Sequence, residues 1–138
     1  MIEVINNKVF HLYNEKISYL FYRLKNDQLG HLYYGSRIHN LDWHNIEYLI
    51  KKDNKAAGTV KYGIEDRKFT LADTMQEYPI FGTSDYKDGG ITLYDDQTPI
   101  YPDFVFESYE IKDGKKRISG FPCSYGSDSK ILVITLVE

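Results

Sequence analysis

Carboxylates are the side chains in this sequence best placed to do chemistry. Glu77 and Asp85 flank aromatics, a proline and a glycine in QEYPIFGTSDY (76–86), and Asp42 with Glu47, Asp53, and Asp95 with Asp96 supply further acids. Cleavage of a glycosidic bond needs only two such groups, one as acid/base and one as nucleophile or base. Spacing along a chain does not say whether two carboxylates face each other across a substrate, and in strand-rich proteins most of them are solvated turn or edge charges. Other chemistries have less support. His11, His31, His39 and His44 are scattered, with no H-E-x-x-H or comparable spacing, so no metal centre is expected. Cys123, the single cysteine, has no nucleophile signature around it, and Ser124 and Ser127 lie near glycines but outside a G-x-S-x-G elbow. Gly30 and Gly35 do not open a helix in a G-x-G-x-x-G pattern, and no cofactor is expected.

The elements that must carry these groups are mainly strands. The 138 residues suffice for one domain with its own core. Their 13 Tyr and 7 Phe, with 1 Trp, suit pleated, half-buried surfaces, so an all-β fold of sandwich type is expected. A net charge of -3 without any long run of Lys or Arg argues against nucleic acid or an anionic membrane as partner. No apolar stretch approaches a spanning helix, and the first residues lack a signal peptide's basic start and apolar core. With one cysteine there is no disulfide framework, which fits a reducing cytoplasm.

Within that frame, VFHLYNEKISYLFYRL (9–24) reads as a β-hairpin about Asn14–Lys16. In its second strand Tyr19 and Phe21 share a face with Ile17, and Leu20, Tyr22 and Leu24 share the other, so the strand should be covered on both sides. Lys25–Gln28 is a turn into LGHLYYGSRI (29–38), whose glycines mark a bulge or a close backbone approach. DWHNIEYLIKK (42–52) is one short helix, capped by Asp42, with Trp43, Ile46, Leu49 and Ile50 at helical spacing. Further on come a strand at 91–94, a turn at 95–99 and an alternating strand at 104–112. Asp113-Gly114 then predicts a hairpin whose return strand is 115–119. KILVITLVE (130–138) has the near-continuous apolar character of a strand buried on both faces, which implies a chain cut from a longer protein.

QEYPIFGTSDY itself reads as a rigid corner. Pro79 fixes its own φ and holds Tyr78 extended, Gly82 permits a reversal, and Thr83, Ser84 and Asp85 can bond nearby backbone groups. Tyr78, Phe81 and Tyr86 would pin the corner to a core.

This segment resembles the Q-E-Y-P-x-aromatic-G-x-x-D-aromatic stretch in the N-terminal region of bacterial α-galactosidases of glycoside hydrolase family 36. KVFHLYNEKISYLF resembles the family's F-H-L strand and LGHLYYGSRI its L-x-H-x-Y-[FYW]-G strand. FVFESYEIKDGKKRISGFPCSYG followed by KILVITL resembles its I-x-x-G-K-P-x-L-x-G-L-P-[AS]-[TS]-Y segment and next strand, in the same order. Lys116, Phe121 and Cys123 depart from the usual proline, leucine and alanine, and the segment 41–67 is the least family-like.

The resemblance implies a retaining α-galactosidase acting on terminal α-galactosides of the melibiose and raffinose type, with two catalytic aspartates in a (β/α)8 barrel downstream of residue 138. Residues 1–138 would be the first part of the preceding β-supersandwich domain, inactive alone, with the barrel as its partner and a homotetramer as the assembly. The family's N-terminal domain gives an aspartate to a neighbouring subunit's site, and Asp53 is the match by order and approximate distance. The residues alone equally allow Asp53 to be a loop charge that ends a helix. A stand-alone β-sandwich that binds carbohydrate through exposed Tyr and Trp is the alternative.

Overall fold

The computed structural model describes residues 1–50, 69, 71, 74–80, 88–116, 118–122 and 129–138. Among them the chain runs β1 (Ile2–Ile5), β2 (Val9–Tyr13), β3 (Ile17–Arg23), β4 (Leu29–Ser36), α1 (Trp43–Ile50), β5 (Leu93–Asp95), β6 (Thr98–Ile100), β7 (Val105–Asp113) and β8 (Lys130–Val137). The first four strands form an antiparallel meander in the order β1-β2-β3-β4, while β5-β6 and β7-β8 are separate two-stranded ribbons. Mainly antiparallel strands with one short helix are what the sequence predicts.

Turn chemistry sets the meander. Asn14 Oδ1 accepts the backbone N–H groups of Lys16 and Ile17 at 2.8 and 2.9 Å, closing β2 onto β3 with Leu12 opposite Tyr19. Strand β1 is absent from the sequence-based expectation. It is joined to β2 through Asn6, Asn7 and Lys8, with Asn6 and Asn7 both at positive φ (51° and 50°) and the Lys8 N–H bonded to Ile5 O at 3.0 Å. Between β3 and β4 the register shifts at Leu20/Phe21 and passes over Leu32, so the bulge lies between the two glycines, which are themselves paired with Tyr22 and Ser18. Gly30 answers a close approach: a Cβ there would stand 2.7 Å from Leu24 Cδ2 and 2.8 Å from Tyr22 Cε1.

Strand β3 is covered on both sides, and the predicted alternation decides which residues go where. Leu20, Tyr22 and Leu24 join Val9, Ile46 and Leu71 on one face. Phe21 joins Phe10 and Leu29 on the other, with Phe106, Leu132, Ile134 and Leu136 of the β7-β8 ribbon laid over them. Phe10 is the hub of this layer, stacked on Phe21 with centroids 5.0 Å apart and meeting Tyr109 edge-on at 5.4 Å. Helix α1 covers the first face. The Asp42 carboxylate accepts the Asn45 N–H at 2.8 Å as its cap, and Ile46 is fully buried. Trp43 and Ile50 pack beside Ile46, whereas Leu49 turns out to solvent.

Three expectations change. Residues Thr98–Ile100 form β6 rather than the end of a turn, and Leu93 pairs with Ile100. Gly114, at φ +90°, does reverse the chain after β7, but its N–H bonds to Ser129 O at 2.8 Å and the return strand is β8, with Asp113 opposite Lys130. The described residues of 115–119 are not strand. Finally, β8 is not buried on both faces. Ile131, Leu132, Ile134 and Leu136 are half-buried, and Val133, Thr135 and Val137 lie exposed.

Candidate functional site

Several of the described carboxylates are committed to structural partners. Asp42 caps α1. Asp27 pairs with Arg23 at 2.6 Å, Glu110 with Lys112 at 2.9 Å and Asp113 with Lys130 at 3.3 Å. Asp103 accepts from Gln28 Nε2, and Gln28 Oε1 accepts from Gln76 Nε2 at 2.6 Å, a chain that ties three segments together. Asp95 and Asp96 are exposed at the β5-β6 turn. No two of these face each other across an opening in the manner an acid/base pair requires. Asp53 and Asp85 lie outside the described residues, as do Cys123, Ser124 and Ser127.

Glu77 is the best-placed acid in the described chain. The backbone around it is zipped to the free edge of β4: His31 N–H bonds to Met75 O at 2.7 Å, Glu77 N–H bonds to Leu29 O at 2.9 Å, and Gln76 bridges Gly30 in antiparallel fashion. This carries the Glu77 side chain to the face where Tyr19 and His31 sit. One carboxylate oxygen accepts the Tyr19 hydroxyl and the other lies 2.9 Å from His31 Nδ1. Burial, reinforced by the bond to Glu77, holds the Tyr19 phenol well above its usual range, so it stays a donor. Such charge-assisted bonds are roughly twice as strong as neutral ones. Glu77 therefore fastens the described part of this segment to the meander through its carboxylate, while the reversal expected at Gly82 falls outside the described residues. Of the aromatics expected to pin the corner, Tyr78 is half-exposed. Ile80, 5% exposed, anchors it instead. Phe81, Gly82 and Tyr86 lie outside the described residues.

Beside Glu77 opens a cleft of about 290 Å³ between the meander and the β7-β8 ribbon. Its walls are apolar, from Leu12, Phe21, Leu132 and Ile134, and its polar groups are those of Tyr19, Glu77 and Tyr78. The lining can seat an apolar group; it does not supply two carboxylates.

A second polar cluster lies on the opposite face of the meander. Ser18 Oγ and His11 Nε2 are 2.9 Å apart, and Glu3 Oε2 is 3.9 Å from His11 Nδ1, the order of a nucleophile, base and acid. Ser18 is fully buried and its hydroxyl already accepts the Ile38 N–H at 2.9 Å, so no substrate reaches it. The Arg37 guanidinium approaches His11 Nε2 at 3.3 Å while covering the Tyr13 ring at 3.6 Å. Burial first, then the Arg37 and Met1 amino charges, push His11 down to about 4, so the ring is neutral. Because arginine only donates, Nε2 is the acceptor and the buried Nδ1 carries the proton without a partner. His39 and His44 are exposed near the start of α1. Among the described residues, no three His, Cys, Asp or Glu groups converge as metal ligands.

Sequence reasoning put Glu77 in the right segment and missed its partners. Tyr19 and His31 are 58 and 46 residues away, too far for any spacing rule. His11–Ser18 was within reach, since the Asn14 hairpin already places the two strands side by side.

Comparison with known proteins assigns this geometry to a family. The model described as glycosyl hydrolase family 36 N-terminal domain matches residues 27–138. The chain belongs to this family. As a family 36 N-terminal domain it is 30% identical to α-galactosidase 1 of Pediococcus pentosaceus over 144 residues, covering 96% of this chain and 18% of that protein. Its structure resembles the α-galactosidase of Lactobacillus brevis with a TM-score of 0.81 at 25% identity, covering 97% of this chain and 18% of the other. It also resembles a variant of α-galactosidase AgaA from Geobacillus stearothermophilus in complex with raffinose, with a TM-score of 0.76 at 25% identity over 94% of this chain and 18% of that one. The domain thus spans less than a fifth of the length of the relatives it matches. Among the described residues, no helix is long and apolar enough to cross a membrane.

Proposed function

We propose that residues 1–138 are the first part of the N-terminal β-supersandwich domain of a retaining α-galactosidase that hydrolyses terminal α-galactosides of the melibiose and raffinose type. The observation that carries this reading is the family match over 27–138, joined to the likeness to an α-galactosidase solved with raffinose. The role of the domain is non-catalytic: it packs against a (β/α)8 barrel, takes part in a cytoplasmic homotetramer, and completes the galactoside pocket of a neighbouring subunit through Asp53. The commitment of Asp27, Asp42, Glu77, Asp103, Glu110 and Asp113 to caps and pairs is consistent with chemistry performed elsewhere in the longer protein. A stand-alone sugar-binding module would have to use exposed tyrosines such as Tyr34, Tyr48 and Tyr94, because Trp43, the single tryptophan, is packed on the core beside Ile46.

The test is the longer enzyme carrying Asp53→Ala. A fall in kcat/KM of about tenfold, which is about 1.4 kcal/mol of transition-state stabilisation, is expected. Unchanged KM and kcat would remove Asp53 from the site. Saturable binding of melibiose or raffinose by the 138-residue chain alone would favour the stand-alone module, and a reading frame without a barrel after Glu138 would end the enzyme reading.

A further inference from the structure

The tripeptide Lys-Asp-Gly stands twice in this chain, as Lys87-Asp88-Gly89 and as Lys112-Asp113-Gly114. The repeat is a built-in control, since the same three residues meet two different settings. An aspartate followed by glycine can close on its own backbone. The nitrogen of the following peptide attacks the side-chain carboxyl carbon of the acid form, one carboxyl oxygen leaves as water with the carboxyl and N–H protons, and a five-membered succinimide forms. Water then opens the ring at either carbonyl. Opening at one restores aspartate, and opening at the other carries the main chain through the β-carbon as isoaspartate. One water leaves and one enters, with no oxidant or reductant. Glycine favours closure because no Cβ stands beside the attacking nitrogen.

Exposure does not separate the two sites. Asp88 and Gly89 are both exposed, and the Asp113 side chain is 89% exposed. Commitment of the backbone does separate them. Asp113 is the last residue of β7 and lies opposite Lys130. The Gly114 N–H, on the nitrogen that would attack, is bonded to Ser129 O at 2.8 Å, and Lys130 Nζ stands 3.3 Å from the Asp113 carboxylate. To react, Asp113 must leave its ion pair, turn about its own backbone and open the end of the β7-β8 ladder. Asp88 and Gly89 make no hydrogen bond or ion pair among the described residues. The next bond along the chain is Gly90 N–H to Pro79 O at 2.8 Å, one peptide beyond the attacking nitrogen. We infer that Asp88 is the residue at which this domain converts to isoaspartate, and that the ladder spares Asp113. The product carries a free α-carboxylate on an exposed segment, the group that a protein carboxyl methyltransferase esterifies with S-adenosylmethionine as methyl donor. This chemistry needs no galactoside and does not rest on the α-galactosidase reading.

Warm incubation of the folded 138-residue chain at neutral pH, then enzymatic methyl transfer from labelled S-adenosylmethionine and peptide mapping, tests it. The hydrogen bond and ion pair at Asp113 together lower its open form about tenfold, so at least about tenfold more label is expected in the Asp88 peptide. In urea the two tripeptides should take label at similar rates, because the difference belongs to the fold. Asp88→Glu, which would need a slower six-membered ring, should remove most of the label from the folded chain, and Asp113→Glu should leave it in place. Asp88→Asn should raise it, because an amide loses ammonia more readily than a carboxylate loses water. No label at Asp88, equal labelling of the two peptides in the folded chain, an excess at Asp113, or an excess at Asp88 that persists in urea would each overturn the assignment.

Discussion

The meander and the β7-β8 ribbon use the same antiparallel pairing and end in opposite states. In the meander, β3 is clothed on both faces, so Leu20 is fully buried and Phe21 5% exposed. In the ribbon the strands are as long, but one face lies on Phe10 and the other is open, leaving Val133 and Val137 at 37% and 38% exposure. Pairing alone therefore does not make a core. Cover does, and the meander receives it from α1 on one side and from the ribbon on the other.

Substitutions can break or sharpen this contrast. The largest effect is expected from Phe10→Ala, which empties the hub shared by both regions and should cost about 3–5 kcal/mol in denaturant unfolding. A cost near 1 kcal/mol would mean that the ribbon does not rest on the meander as described. Next comes pH. Folding favours the neutral His11 ring, so its contribution is complete above about pH 6.5, declines as pH falls, and is gone below about pH 4. The amount is about 2–3 kcal/mol, visible as a loss of thermal stability across that window and flattened in His11→Gln. It should appear in meander probes, because Glu3, Arg37 and the Met1 amino group, the charges facing His11, all belong to the sheet and its immediate flanks. Gly30→Ala should cost about 2 kcal/mol, because the new methyl meets Tyr22 and Leu24 inside 3 Å. Glu77→Gln weakens two charge-assisted bonds and should cost about 1–2 kcal/mol, read by the same unfolding titration. The smallest effect, within about 0.5 kcal/mol, is expected for Val133→Thr on the open face of the ribbon. A cost above 1 kcal/mol there would show that face to be covered.

The same contrast explains what could be read from the sequence. Strands β2, β3 and β4 were legible because each is bounded by a polar turn, Asn14–Lys16 or Lys25–Gln28, and because alternation in β3 assigns both faces. Asp42 likewise declared its helix. The ribbon was half legible. Asp113-Gly114 signals that the chain reverses, and Gly114 does so, but nothing in two residues says whether the partner begins at 115 or at 130. Loop closure adds little free energy per added residue, so the longer excursion is open to the chain. The apolar run of β8 gives hydrophobicity and not cover, and its exposure depends on what else is present. The site was the least legible: Glu77 was visible as an acid, but the donors that occupy it arrive from strands folded much earlier in the chain.

That last arrangement has a consequence for how the domain assembles. The meander is built from sequence neighbours, with each strand separated from the next by a short turn, so its contacts are cheap to close. The clasp of Gln76–Glu77 onto Gly30, Tyr19 and His31 must first bring together residues 46 to 58 positions apart. We expect the meander to form in the folding transition state and the clasp afterwards. In rate terms, Leu20→Ala should slow folding, while Glu77→Gln should leave the folding rate nearly unchanged and speed unfolding. Equal effects of the two variants on the folding rate would contradict that order. The QEYP segment then acts as a latch on an already standing sheet, closed late and opened early.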